Sequence, residues 1–262
     1  MYIQVAAHRG NVAAYPENTI EAFSSAYGIG ADMIELDLHM TKDGEIVVIH
    51  DGDLRRTADV SGEIRKLTLD EIKRADVGIK KGAEFKGMRV PTLREFCELV
   101  SAKDSKMQFN FEFKDYFKDG EEWAKVCADK IISTVDGYGL WDRSFVNSID
   151  GRLLSYVEKK YGGRFRLHSF YPYVLLGEIR PERSYCACLW KYHSEDGTPA
   201  FEGVVNPKED FDALIADGVR PWVGASIRTV EDMMLAASYG AELITSNEPE
   251  FMINELKRVG LR

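Results

Sequence analysis

A chain of 262 residues, 45% apolar and 29% charged, has material for a large buried core and the make-up of an ordinary globular enzyme. Its 34 Lys and Arg against 43 Asp and Glu leave a formal charge of -9, which removes any bulk attraction to nucleic acid or an anionic membrane, so an anion would have to be held by local groups. No apolar run is long enough to cross a bilayer, the start YIQVAA is too short for a secretory signal, and Cys97, Cys127, Cys186 and Cys188 lack metal-type spacing, so reduced thiols and a cytoplasmic location are expected.

No internal repeat, low-complexity tract or Gly/Ser linker divides the sequence, and a single domain over 1–262 is expected. Short apolar or alternating runs recur between amphipathic stretches: YIQVAA, DMIELDL, MQFNFEF, SFVNSI, FRLHSF, GVVNP, RPWVGA and AELITS. Eight such runs with helices between them predict an α/β fold, a (β/α)8 barrel. The first helix follows AHRGNVAAYPENT, where Asn18 is placed to cap it, Glu21 stands three residues on, and Ile20, Phe23 and Tyr27 share a face. A late helix over 229–239 carries Val230, Met233, Met234 and Ala237 as its apolar stripe and ends at Gly240. Between the second and third runs lie a hairpin and a polar segment, about 54–89, too long for an ordinary βα loop; on the catalytic face of a barrel it would form a cap.

In Met33-Ile34-Glu35-Leu36-Asp37, the period of two puts Glu35 and Asp37 on one face. Two acids facing a barrel mouth repel unless neutralised, and oxygen-only ligands suit Mg²⁺ or Ca²⁺. In LDLHMTKDGEIVVIHD, Asp43-Gly44 between alternating arms predicts a two-residue turn with Lys42 opposite Glu45, which would set His50 opposite Asp37 on the same side of the ribbon. In NFEFK, Asn110, Glu112 and Lys114 share the inward face and Phe111 and Phe113 the outward one, so Glu112 completes an oxygen cage and Lys114 adds a cation. His8 and Arg9, closing the first strand, bring a second imidazole and a guanidinium. Metal and guanidinium would neutralise phosphoryl oxygens while two histidines move protons. His39 shares the parity of the acids but is expected to be solvated along the hairpin arm, and His168 and His193 stay outside the catalytic set.

In order and spacing, HRG (8–10), PENT (16–19), IELDLHMTKDGEIVVIHD (34–51), LRRT (54–57), VPTLREF (90–96), NFEFK (110–114), PW (221–222) and ITSNEP (244–249) resemble the glycerophosphodiester phosphodiesterase family over most of the chain. The resemblance implies a TIM barrel with a small cap inserted after the second barrel strand, one divalent cation, Mg²⁺ or Ca²⁺, and hydrolysis of a glycerophosphodiester to glycerol 3-phosphate and an alcohol. Carried over by position, Glu35, Asp37 and Glu112 match the metal ligands, His8 and His50 the acid-base pair, and Arg9 and Lys114 the phosphate contacts. Glu17 and Asn18 match the acid and amide of PENT, set behind these. Trp222 matches the family's late Trp, which packs against the glycerol or alcohol moiety or serves structure alone; Val-Gly-Ala-Ser follows it here, where the family often has Thr-Val-Asn. Two other readings stand beside this one: a lysophospholipase D-like enzyme, which needs an apolar groove for an acyl chain, and a phosphodiester-binding module without catalysis. The expected partner is a small glycerophosphodiester, with no nucleic acid and no stable membrane association; the oligomeric state is left open.

Overall fold

Residues 2–103, 106–177, 179–192, 199 and 201–262 are described by a computed structural model. Among the described residues nine strands form one sheet: β1 (Gln4–His8), β2 (Met33–Met40), β3 (Ile46–Val48), β4 (Gln108–Phe113), β5 (Ser144–Asn147), β6 (Arg166–Tyr171), β7 (Cys186–Leu189), β8 (Arg220–Val223) and β9 (Leu243–Ser246). All but β3 run parallel in the order β1-β2-β4-β5-β6-β7-β8-β9, and β1 pairs with both β2 and β9, so eight strands close a barrel. The α-helices are α1 (Ile20–Gly28), α2 (Leu69–Ile72), α3 (Leu93–Ser101), α4 (Glu121–Gly137), α5 (Gly151–Tyr161), α6 (Lys208–Ala216), α7 (Val230–Ser238) and α8 (Pro249–Arg258). Between β6 and β7 the chain makes a short 3-10 turn, Tyr173–Leu176. Among the described residues no helix is long and apolar enough to cross a membrane, and the four cysteines are buried free thiols.

Alternation along the strands builds two separate interiors. Outward side chains of β4, Phe109 and Phe111, meet the edge of Phe96 on α3, which in turn meets Phe23 on α1, and these belong to the apolar layer between barrel and helices. Inward side chains fill the barrel. Ala6, Met33, Phe145, Cys186, Trp222 and Leu243 pack together there, and polar groups occupy the strand ends nearer the mouth.

The structure corrects four expectations about the elements of the fold. The run GVVNP is not a strand: the strand between β6 and β8 is Cys186–Leu189, in register His168 to Cys186 and Cys188 to Trp222. Its Cys-Ala-Cys-Leu is buried on both faces and carries no β-branched or aromatic residue, so it lacked the usual strand signal. Val205 and Asn206 are buried instead at the entry to α6, where Pro207 stands at the N-cap.

The hairpin is shifted by one residue. Met40 pairs with Ile46 and Leu38 with Val48, and Gly44 takes a φ of 83°, so Lys42, Asp43 and Gly44 all lie in the loop. Asp37 therefore faces Ile49, whose amide donates to the Asp37 carbonyl at 2.9 Å. Strand pairing alone does not bring His50 to the acids; a bend after Val48 does.

Thr19, not Asn18, caps α1, accepting from the Ala22 amide at 3.2 Å. Asn18 adopts the left-handed region, φ 55°, which frees its side chain for Asp37. On α7 the buried stripe is Met233, Ala236 and Ala237, with Met234 turned outward.

The segment 54–89 carries three 3-10 turns and α2. Its Leu54, Ala58, Ile64 and Ile72 form a small apolar cluster of their own with Val47 and Ile49. The odd-numbered face of β3 thus seats this insert, while Ile46 and Val48 face the outer helices.

Candidate active site

The register of β2 and β4 sets Asp37 beside Glu112, and that of β1 and β2 sets His8 beside Glu35. Glu35, Asp37 and Glu112 each offer a carboxylate oxygen, and these atoms lie within 4.8 Å of one another. All three residues are buried. Burial above all, then the charges of Asp37 and Glu112, holds the Glu35 carboxyl well above the usual carboxylate range. Burial acts the same way on Asp37, but Lys114, Arg9, His50 and the Asn18 hydrogen bond together bring it down to about 2. Glu35 Oε1 is buried without a hydrogen-bond partner, and Asp37 Oδ1 has only an ion pair with the Lys114 ammonium. Mutually repelling oxygens, one of them orphaned, with no nitrogen or sulfur donor in the set fit a hard divalent cation.

Two cations lean on the same acids. Lys114 Nζ lies 2.6 Å from Glu112 Oε1 and 3.2 Å from Asp37 Oδ1. Arg9 follows β1 in the left-handed region, φ 58°, and Gly10 after it at φ 84°, where a Cβ would lie 2.7 Å from the Ala22 carbonyl carbon. This tight turn lets the Arg9 amide donate to Glu35 Oε2 at 3.0 Å while its guanidinium turns to Asp37 Oδ2, 3.2 Å, and to Glu17 Oε1, 3.1 Å. Asn18 Nδ2 donates to Asp37 Oδ2 at 2.8 Å.

The imidazoles are held differently. His8 Nδ1 lies 2.6 Å from Asn247 Oδ1, and its Nε2 lies 3.8 Å from Glu35 Oε2. Burial, with the Arg9 charge adding to it, pushes His8 down to about 4. His50 Nδ1 lies 2.6 Å from Asp51 Oδ1. Arg56, from the first turn of the insert, donates to Asp51 at 2.6 Å and to both oxygens of Glu17 at 2.7 Å. One chain of ion pairs therefore runs from His50 through Asp51, Arg56, Glu17 and Arg9 to Asp37.

A match to the Glycerophosphoryl diester phosphodiesterase family spans residues 8–215, beginning at His8 and taking in every acid and cation just described. The chain belongs to that family. A Glycerophosphodiester phosphodiesterase of Caldanaerobacter subterraneus subsp. tengcongensis is 33% identical over 264 aligned positions that cover 98% of each chain. Membership makes the protein an enzyme of the phosphoric diester hydrolase class. Among solved structures, a putative glycerophosphoryl diester phosphodiesterase from Silicibacter pomeroyi superposes with a TM-score of 0.81 at 20% identity, covering 99% of this chain and 95% of the other. An Oleispira antarctica phosphodiesterase, solved with the product sn-glycerol-3-phosphate, gives 0.81 at 22%, covering 98% and 97%. These two likenesses establish the shared barrel fold.

Of the family positions carried over from sequence, His8, Arg9, Glu17, Asn18, Glu35, Asp37, His50, Glu112 and Lys114 form one connected assembly. Trp222 stands apart: it is 2% exposed inside the barrel, 5.0 Å from Phe145 and 4.8 Å from His168 between ring centres. Its place is packing. His168 is buried there too, with Nδ1 2.9 Å from Asn110 Nδ2. His39 is not solvated but buried, its Nδ1 2.7 Å from Asp115 Oδ1 and its Nε2 3.2 Å from the His50 carbonyl oxygen. His193 lies outside the described residues. Asn247, Asp51 and Arg56 join the site as well, from within the motifs ITSNEP, IHD and LRRT, as partners of its histidines and acids.

Proposed function

We propose that the protein hydrolyses glycerophosphodiesters to glycerol 3-phosphate and an alcohol, with one divalent cation, Mg²⁺ or Ca²⁺, held by Glu35, Asp37 and Glu112. The observation that carries this reading is the convergence of three buried carboxylates within 4.8 Å beneath two cations, next to His8 and within reach of the charge of His50. Bound there, the cation would neutralise phosphoryl oxygens as negative charge builds up. Arg9 and Lys114 would hold the remaining equatorial oxygens.

The hydrogen bonds suggest a division of labour between the imidazoles. An Asn247 oxygen can only accept, so His8 carries its proton on Nδ1 and leaves Nε2 bare to take one. The Asp51 carboxylate can only accept from His50 Nδ1 and so fixes that ring, and His50 is assigned the part of proton donor. In the proposed sequence His8 accepts the proton of the glycerol 2-hydroxyl as its oxygen attacks phosphorus. The bond from phosphorus to the departing alcohol breaks, and His50 gives that alcohol its proton. Water then opens the cyclic phosphate with the two histidines exchanging roles, which restores both and leaves glycerol 3-phosphate. We further propose that residues 1–262 act as one domain, with the insert at 54–89 capping the site and contributing Arg56.

The test is glycerol 3-phosphate release from a panel of diesters under Mg²⁺, Ca²⁺ or chelator, for the intact protein and His50→Ala. Metal-dependent release that the substitution abolishes is expected. Full release by verified metal-free protein would sink the metal reading, and binding without turnover under any metal would favour the binding module.

A further inference from the structure

The strand that its sequence concealed, β7, ends at Leu189, and the next residue continues its inward parity: Cys186 packs inside the barrel, Cys188 pairs with the inward Trp222, and Trp190 follows them at the mouth. On the neighbouring strand β6 the last inward residue is Phe170, and just past β8 the matching position is Gly224. The Trp190 ring meets Phe170 edge to face at 6.1 Å and 77°. Its amide donates to the Tyr171 carbonyl at 3.0 Å, which fixes its backbone to the end of β6. A Cβ at position 224 would lie 3.4 Å from Trp190 Cε3 and 3.5 Å from Cys188 Sγ, tight contacts that the glycine avoids. The Val-Gly-Ala sequel to Trp222 thus leaves room for a different tryptophan. Trp222 is 2% exposed and Trp190 is 50% exposed.

We propose that Trp190, braced by Phe170 and given space by Gly224, forms an aromatic wall of the substrate site that receives an alcohol carrying a quaternary ammonium group. A large half-exposed indole at the C-terminal end of a barrel strand stands where barrels bind their ligands. The arginine and lysine of the site follow β1 and β4, each three strands from β7 around the barrel, whereas the inward mouth residues of β5 to β8, Asn147, Phe170, Trp190 and Gly224, carry no charge. A cationic head group that must shed water gains from an aromatic face, and a second anion does not. The inference rests on the proposed phosphodiesterase reading, whose substrate it narrows.

The experiment compares glycerophosphocholine with glycerophosphoglycerol on the metal-loaded enzyme and on Trp190→Leu, Trp190→Phe and Gly224→Val. Trp190→Leu is expected to raise KM for glycerophosphocholine about 3- to 30-fold, with kcat within about twofold and little change for glycerophosphoglycerol. Phe should keep part of the preference, and the valine at 224, crowding the indole, should lose it. An equal rise in KM for both substrates would place the ring against the shared glycerol end and overturn the proposal, as would no change. Calorimetric binding of glycerophosphocholine to the same proteins needs no turnover: affinity that falls in Trp190→Leu while the intact protein hydrolyses neither substrate would sink the catalytic reading and leave the aromatic wall standing.

Discussion

His8 on the first strand and Asn247 after the last one are joined across the seam of the barrel, Nδ1 to Oδ1, at 2.6 Å. Because the amide oxygen accepts, the bond selects the tautomer whose Nε2 is free beside Glu35. Asn247→Ala should therefore lower kcat by about 10- to 100-fold, part of the 10²- to 10⁴-fold expected for His8→Ala, with KM nearly unchanged. Steady-state kinetics of the two variants check this; an alanine at 247 that leaves kcat intact would show that His8 needs no orienting partner.

Glu35 sits in a cluster that repels itself, so its neutral isostere should not harm the metal-free protein. Metal-free Glu35→Gln is expected to melt at or above the intact protein, since a buried charge opposed by Asp37 and Glu112 is removed. Saturating Mg²⁺ or Ca²⁺ should reverse the order: a cation at 100 times its Kd stabilises the intact protein by about 2.7 kcal/mol and the variant much less. Thermal melts with and without each metal read both arms. Equal metal shifts in the two proteins would remove Glu35 from the ligand set.

The acids and β4 lysine were legible because a strand's period is two and nothing tertiary is needed to apply it: Glu35, Asp37, Glu112 and Lys114 face inward as expected. The hairpin was half legible. Asp43-Gly44 marked the turn, but a glycine with positive φ serves a two-residue loop and a three-residue loop equally, and one residue of slip moved His50 off its predicted partner. Strand β7 was hidden because small buried residues packed on both sides need no alternation, and Trp190 was hidden with it. His39 looked solvated because its partner, Asp115, is 76 residues away in the chain. The link from His50 to Arg9 through Arg56 crosses the insert, and no local pattern reports a pairing of that kind.

Arg56 is nearly half exposed, yet it joins Asp51 behind His50 to Glu17 behind Arg9. Exposed ion pairs are worth little to folding, so Arg56→Ala should change stability by less than about 1 kcal/mol. Its catalytic cost should be larger, with kcat/KM down about 10-fold or more, because His50 and Arg9 both lose the group that fixes their carboxylate partners. Arg56→Lys should recover little, since a point charge cannot span two carboxylates as a planar fork does. Urea titration alongside kinetics separates the two effects, and a loss of stability that accounts for the loss of rate would refute the positioning role.

His168 makes the stability of the barrel depend on pH in a definite direction. Asn110 donates to its Nδ1 at 2.9 Å, so the ring is neutral with its proton on Nε2, and burial alone pushes it down to about 3. The unfolded chain, with an ordinary imidazole near 6.5, takes up a proton as pH falls below that value, while the native ring does not until about 3. Across that window the unfolded state binds more protons, so stability rises with pH and is lost on acidification, by about 1.4 kcal/mol per pH unit for this group alone. Other groups titrate in the same range, so the decisive quantity is a difference. His168→Gln keeps a polar neighbour for Asn110 but removes the titration, and its urea-derived stability between pH 4 and 6 should slope less steeply than that of the intact protein by about one proton's worth. Parallel slopes would mean that the native barrel lets His168 charge as readily as the unfolded chain does.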